Sequence, residues 1–183
     1  MKTRRPLLAV FLCLGLLTLT AVQAETISKT EYKAGKTRIS DTYKADKAAC
    51  KSHSGNAKDV CIEEAKAKEK VAHAELEYSY TGKATDRNKM HVVKAETDYA
   101  VAKEKCDDLA GNAKHVCVQE AKAVEQKALA DAKMGKEIGE AKKDAAAEKM
   151  DADYKVAMEK CDALAGDAKA SCVAAAKSKF GKK

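Results

Sequence analysis

The residues of this chain best placed to do chemistry are cysteines, which recur three times as Cys-x10-Cys: Cys50 with Cys61, Cys106 with Cys117, and Cys161 with Cys172. The repeat period is 56 and then 55 residues. Each pair brackets the same phrase, Gly55-Asn56-Ala57-Lys58, Gly111-Asn112-Ala113-Lys114 or Gly166-Asp167-Ala168-Lys169, and Tyr43, Tyr99 and Tyr154 each stand seven residues before a first cysteine. A zinc site would want ligands about two to four residues apart with a second cluster close by. Ten intervening residues, repeated, fit disulfides instead, as expected of even-numbered, regularly spaced cysteines in an exported chain.

The other candidate groups form no convincing constellation. His53, His73, His91 and His115 make no metal-ligand spacing. His53 is of most interest, with Asp46 one heptad behind it on the same helical face. A small polar or metal site there competes with the simpler reading of a degenerate first repeat. Ser52-His53-Ser54 lacks a nucleophile elbow or an oxyanion loop. The carboxylates alternate with lysines at helical spacing, as in Glu63-Glu64 with Lys66 and Lys68, the mark of a solvated helix face. No phosphate loop or dinucleotide fingerprint is present. The expectation is therefore no catalytic residue, no cofactor and no metal ligand.

Export is read from the first 24 residues. Lys2, Arg4 and Arg5 precede a largely apolar run from Leu7 to Val22, and Val22-Gln23-Ala24 offers small residues for a signal peptidase, which places cleavage between Ala24 and Glu25. Bulky Leu12 ahead of Cys13 is the wrong context for lipidation. The seven cysteines thus become the six of the three pairs, and the net charge of +7 loses the three cations of the leader. The expected product is periplasmic, with no membrane span after cleavage.

Beyond the leader, alanine outnumbers the larger aliphatics and Phe together, and there is no Trp or Pro. Such a chain cannot gather a broad apolar core at about 25 cal/mol per Å², but Ala, Lys, Glu and Gln are strong helix formers. Val92, Ala95, Tyr99, Ala102, Cys106 and Leu109 step by three and four, a heptad seam, and the third repeat copies it as Ala147, Met150, Tyr154, Ala157, Cys161 and Leu164. Gly suits the left-handed position past a helix end and the following Asn or Asp an N-cap, so Gly111-Asn112 and its equivalents predict tight turns between antiparallel helices. Folding there brings the two cysteines of each pair face to face, and sets Ala102 against Ala121 and Ala95 against Ala128.

The predicted fold is all-α: long antiparallel helices in tandem hairpins, each tip stapled by a Cys-x10-Cys disulfide. The units are a signal peptide (1–24) and hairpin repeats over 25–83, 84–138 and 139–183, the last ending in a basic tail. Two layouts fit: a zigzag of long helices with a break near Gly82, which the pattern favours, or three short hairpins with all tips at one end. The break is expected from the C-cap Gly and N-cap Thr within Thr81-Gly82-Lys83-Ala84-Thr85-Asp86.

Near-absence of Arg and even mixing of acids argue against nucleic acid as a partner. The tail Lys177-Ser178-Lys179-Phe180-Gly181-Lys182-Lys183 resembles the lysine-ended tail that joins the major outer-membrane lipoprotein to peptidoglycan. Phrases such as Glu64-Ala65-Lys66-Ala67 and Glu120-Ala121-Lys122-Ala123 give the chain a resemblance to exported Ala/Lys-rich bacterial proteins called TolA-like, after the helical middle of that envelope protein. The chain departs from TolA in its cleavable leader, its cysteine pairs and its lack of a C-terminal globular domain. The resemblance implies a structural or interaction role in the envelope, with envelope proteins or anionic envelope polymers as partners. The periplasmic chaperone Skp is also built from basic helical-hairpin arms, which makes a holdase the second expectation.

Overall fold

A computed structural model describes residues 26–182, which form five α-helices and no strand. They are α1 (Lys29–Ala49), α2 (Gly55–Thr81), α3 (Ala84–Lys105), α4 (Gly111–Asp162) and α5 (Gly166–Lys179), with 3-10 turns at Cys50–Ser52 and Cys106–Asp108. The signal-peptide cleavage expected at Ala24 and Glu25 lies outside the described residues.

Local chemistry sets the helix ends. Ser28 and Glu31 form a reciprocal capping box at the start of α1. The Ser28 backbone N–H, and then its hydroxyl, hold the Glu31 carboxyl below its usual range. At the α2–α3 break Gly82 takes the left-handed cap, φ 63°, and donates its N–H to the Tyr78 carbonyl at 2.8 Å. The expected Thr N-cap is corrected: Lys83 occupies that position, with no side-chain cap. Thr81 serves the turn from the preceding side, accepting from the Lys83 N–H and donating to the Asp86 carboxylate at 2.6 Å.

The helices form an open row. Packing joins α1 to α2, α2 to α3, α3 to α4 and α4 to α5, and no other helix pair among the described residues makes more than an isolated contact. The burial pattern gives the reason. Ala65 and Ala74 are both buried, and nine residues of helix place them on opposite sides of α2, one toward α1 and one toward α3. Ala95 and Thr97, two residues apart, do the same for α3. The Thr97 hydroxyl donates back to the Val93 carbonyl at 2.8 Å, so its burial leaves no unpaired polar atom. Small side chains on two opposite faces let each helix approach both chain neighbours while gathering no central core. Among the described residues only eight hydrophobic ones are buried, three of them cysteines, and that decides where stability must come from.

Cross-helix polar contacts fix the register. At the open end of the first hairpin Tyr32 stacks on Tyr80 with ring centroids 4.4 Å apart and donates to Glu77 at 2.5 Å, a bond that raises the Tyr32 pKa. Toward the tips, Lys68 pairs with Asp46 at 3.5 Å and Lys105 with Glu64 at 2.7 Å. The Asn56 amide donates to the Glu104 carbonyl at 3.1 Å. Asn56 therefore ties neighbouring helices together instead of capping its own, which corrects the N-cap expectation at that turn. The same bond places the first two tips side by side.

The third tip lies at the far end of α4, a helix of 52 residues and so about 78 Å long. The layout is a zigzag broken at Gly82, with two tips at one end and the third carried away. Residues 133–153 of α4 are exposed without exception. The seam expected at Ala147 and Met150 is thus unoccupied, because α5 is only 14 residues long and folds back no further than Asp151, where Lys182 pairs at 2.6 Å.

Candidate functional site

The repeated feature that the fold builds with most care is the stapled tip. Each ascending helix runs to a cysteine that is fully buried: Cys50 at 1%, Cys106 and Cys161 at 0% exposure. A tightened turn follows, in which the third residue onward donates its N–H back to the cysteine carbonyl. The bonds are His53 to Cys50 at 3.1 Å, Leu109 to Cys106 at 3.0 Å and Leu164 to Cys161 at 3.0 Å. The chain then reverses through Gly55, Gly111 and Gly166, each at φ 55°, a region closed to most side-chain-bearing residues.

This reversal sets the paired Cα atoms 5.6, 5.7 and 5.5 Å apart, within disulfide range, and Cys50–Cys61, Cys106–Cys117 and Cys161–Cys172 are all bonded. The same turn removes His53, Leu109 and Leu164 from the seam. His53 and Leu109 take extended backbone, and both leucines are 44% exposed. The heptad stops at the cysteine because helical geometry must end for the chain to reverse.

Below each staple the tyrosine of the repeat carries a lysine over its ring: Lys47 on Tyr43 at 5.1 Å, Lys122 on Tyr99 at 4.8 Å and Lys182 on Tyr154 at 5.8 Å. Such cation–π contacts let half-buried aromatic rings face a charged surface. Lys122 also bonds Glu125 at 2.6 Å, which raises the lysine pKa and supplies the partner that a carboxylate with only 7% exposure needs. Lys66, the counterpart of Lys122 one unit earlier, also holds a carboxylate, but that of Glu63 on its N-terminal side, at 2.8 Å.

The tips are not identical in charge. Asp107 pairs with Lys114 at 2.9 Å and Asp162 with Lys169 at 3.0 Å. In the first tip the matching acid is replaced by Lys51, so exposed Lys51 and Lys58 face solvent beside His53. Of the two readings of Asp46 and His53, the shared polar site is not formed: Asp46 bonds Lys68 across the hairpin, and His53 is exposed at the turn. No cluster of three or more His, Cys, Asp or Glu side chains with metal-binding geometry occurs among the described residues. None of their helices is long and apolar enough to cross a membrane.

The geometry describes an all-helical protein with three disulfide-stapled hairpin tips. No family model matches the chain, and neither a curated protein nor a solved structure does. The unequal charge of the tips was visible in the sequence at Lys51, Asp107 and Asp162, but their pairing needed the turn geometry.

Proposed function

We propose that the protein is a non-enzymatic structural or interaction protein of the bacterial cell envelope, exported to the periplasm, which presents stapled helical tips to envelope proteins or anionic envelope polymers. The observation that carries this reading is the trio of disulfides on an open helical row. Disulfides persist in oxidising compartments, and here they fix the three places where two helices end together. A net charge of +4, which is +7 less the three cations of the leader, and the unpaired lysines of the first tip favour an anionic partner.

Co-sedimentation of the purified protein with isolated peptidoglycan sacculi and with anionic envelope polymers tests this. Binding should occur at low ionic strength, fall as salt screens the charges, and weaken in Lys51→Glu/Lys58→Glu. Absence of binding at low salt, or recovery of the native protein in the cytoplasm with free thiols, would overturn the reading. A holdase chaperone is the second reading, favoured by the exposed Val124, Met134, Ile138 and Met150 of α4. Suppression of aggregation of an unfolded outer-membrane protein by the purified chain would select it.

A further inference from the structure

The internal repeat shows what one exposed face of α4 is built to receive. Adding 56 to the residues of α2 gives the first half of α4, and adding 55 to those of α3 gives its second half. The α2–α3 interface is held by Asn56 on the Glu104 carbonyl at 3.1 Å and by Glu64 with Lys105 at 2.7 Å. Around these contacts Val60 and Val101 are half-buried and Ala74 is buried.

Every one of these positions has a counterpart of the same type in α4: Asn112 and Glu159, Glu120 and Lys160, Val116 and Val156, and Ala130 for Ala74. All of them are exposed, with Val116 at 46% and Val156 at 53%. The part of that interface nearest the tips is thus written again, with both sides on one continuous helix and neither covered, while toward the break Thr97 and Val93 give way to Ala152 and Glu148.

Those halves cannot meet within this helix. Gly82, where the chain turns to close the α2–α3 interface, corresponds by spacing to Ile138, and α4 runs through 138 unbroken. Val116 and Val156, like Glu120 and Lys160, are 40 residues apart, so about 60 Å separates them along the axis. The same 40 residues are about 11 turns, which returns both members of each pair to nearly the same side of the helix.

We infer that α4 pairs antiparallel with α4 of a second copy of this chain, about a two-fold axis near Ile138. The sums of the paired residue numbers set that axis. Glu120 with Lys160 centres on 140 and Asn112 with Glu159 on 135.5, so the crossing lies where Ile138 stands 48% exposed on the same stripe. Each end of the dimer then continues the row from α1 to α3 and the first half of α4, followed by the second half of α4 and α5 of the partner chain. All contacts occur twice, as an isologous interface requires. The arrangement exchanges the third hairpin between chains in place of the turn at Gly82.

The test uses the full mature chain with its disulfides intact. Light scattering and sedimentation should give twice the chain mass, dissociating on dilution. Ile138→Cys should form a covalent dimer on mild oxidation, with the three native bridges retained. Lys160→Glu should weaken the dimer at least tenfold, and Glu120→Lys/Lys160→Glu should recover it, with helicity unchanged in both. A single-chain mass at the highest concentrations would overturn the inference. So would cysteines placed at 123 and 152 that bridge within one chain, because the third hairpin would then return onto its own α4.

Discussion

Removing the third staple, as Cys161→Ser/Cys172→Ser, asks how much of this structure the disulfides hold. The bridge closes a loop with a sequence separation of 11. The chain-entropy relation gives about 9 cal/mol/K for such a loop, or about 2.8 kcal/mol at 25 °C. Against this, α5 docks through little else: Ala176 at 7% exposure, the edge contact of Phe180 with Tyr154 at 5.8 Å, and the surface pair of Lys182 with Asp151. A helix of 14 residues is marginal alone in water, so undocking and unwinding should coincide. The expected result is that the opened population of α5 rises by about a hundredfold, the factor that corresponds to about 2.8 kcal/mol. Hydrogen exchange read by mass spectrometry would report this as lost protection across Gly166–Lys179, with α2 and α3 as internal controls, since each is packed on both sides. Unchanged α5 protection in the variant would show that side-chain packing alone docks the helix, and the argument from the thin core would fail.

Asn56→Ala should cost about 1 kcal/mol, the net worth of a typical intramolecular hydrogen bond, because the amide bonds a carbonyl of the neighbouring helix; chemical denaturation checks it. Gly82→Ala should destabilise by about 1–2 kcal/mol, the left-handed cost for a residue with Cβ, with Thr26 Cγ2 only 3.1 Å from the added carbon; the same denaturation series applies. Acidification should release the cap of α1. Glu31 has a depressed pKa in the folded chain, set first by the Ser28 backbone N–H. Its contribution is therefore full above the ordinary glutamate range and is lost as pH falls through the folded value. An NMR titration should place the Glu31 carboxyl below that of a model peptide, and Ser28→Ala should move it only part of the way back up, because the backbone N–H that contributes most remains.

Much of this fold was legible in the sequence because its signals are local or repeated. Helix follows from Ala, Lys and Glu content, and the disulfide pairing from mirror symmetry about Gly55, Gly111 and Gly166. The break at Gly82 announces itself by a left-handed glycine. What the heptad pattern misjudged was its own end: Leu109, Leu164 and His53 continue the spacing but lie beyond the point where the backbone must leave the helix. The partnership of Asp46 was equally out of reach, since Lys68 reaches it from another helix. Sequence spacing also could not say that α2 and α3 each bury two opposite faces, because alanine reads the same whether covered or bare. Only the tertiary arrangement separates Ala74, which lies against α3, from Ala130, which lies in solvent. The difference arises because a chain turns at Gly82 and runs straight through Ile138, and a turn decides contacts between residues that no local propensity connects.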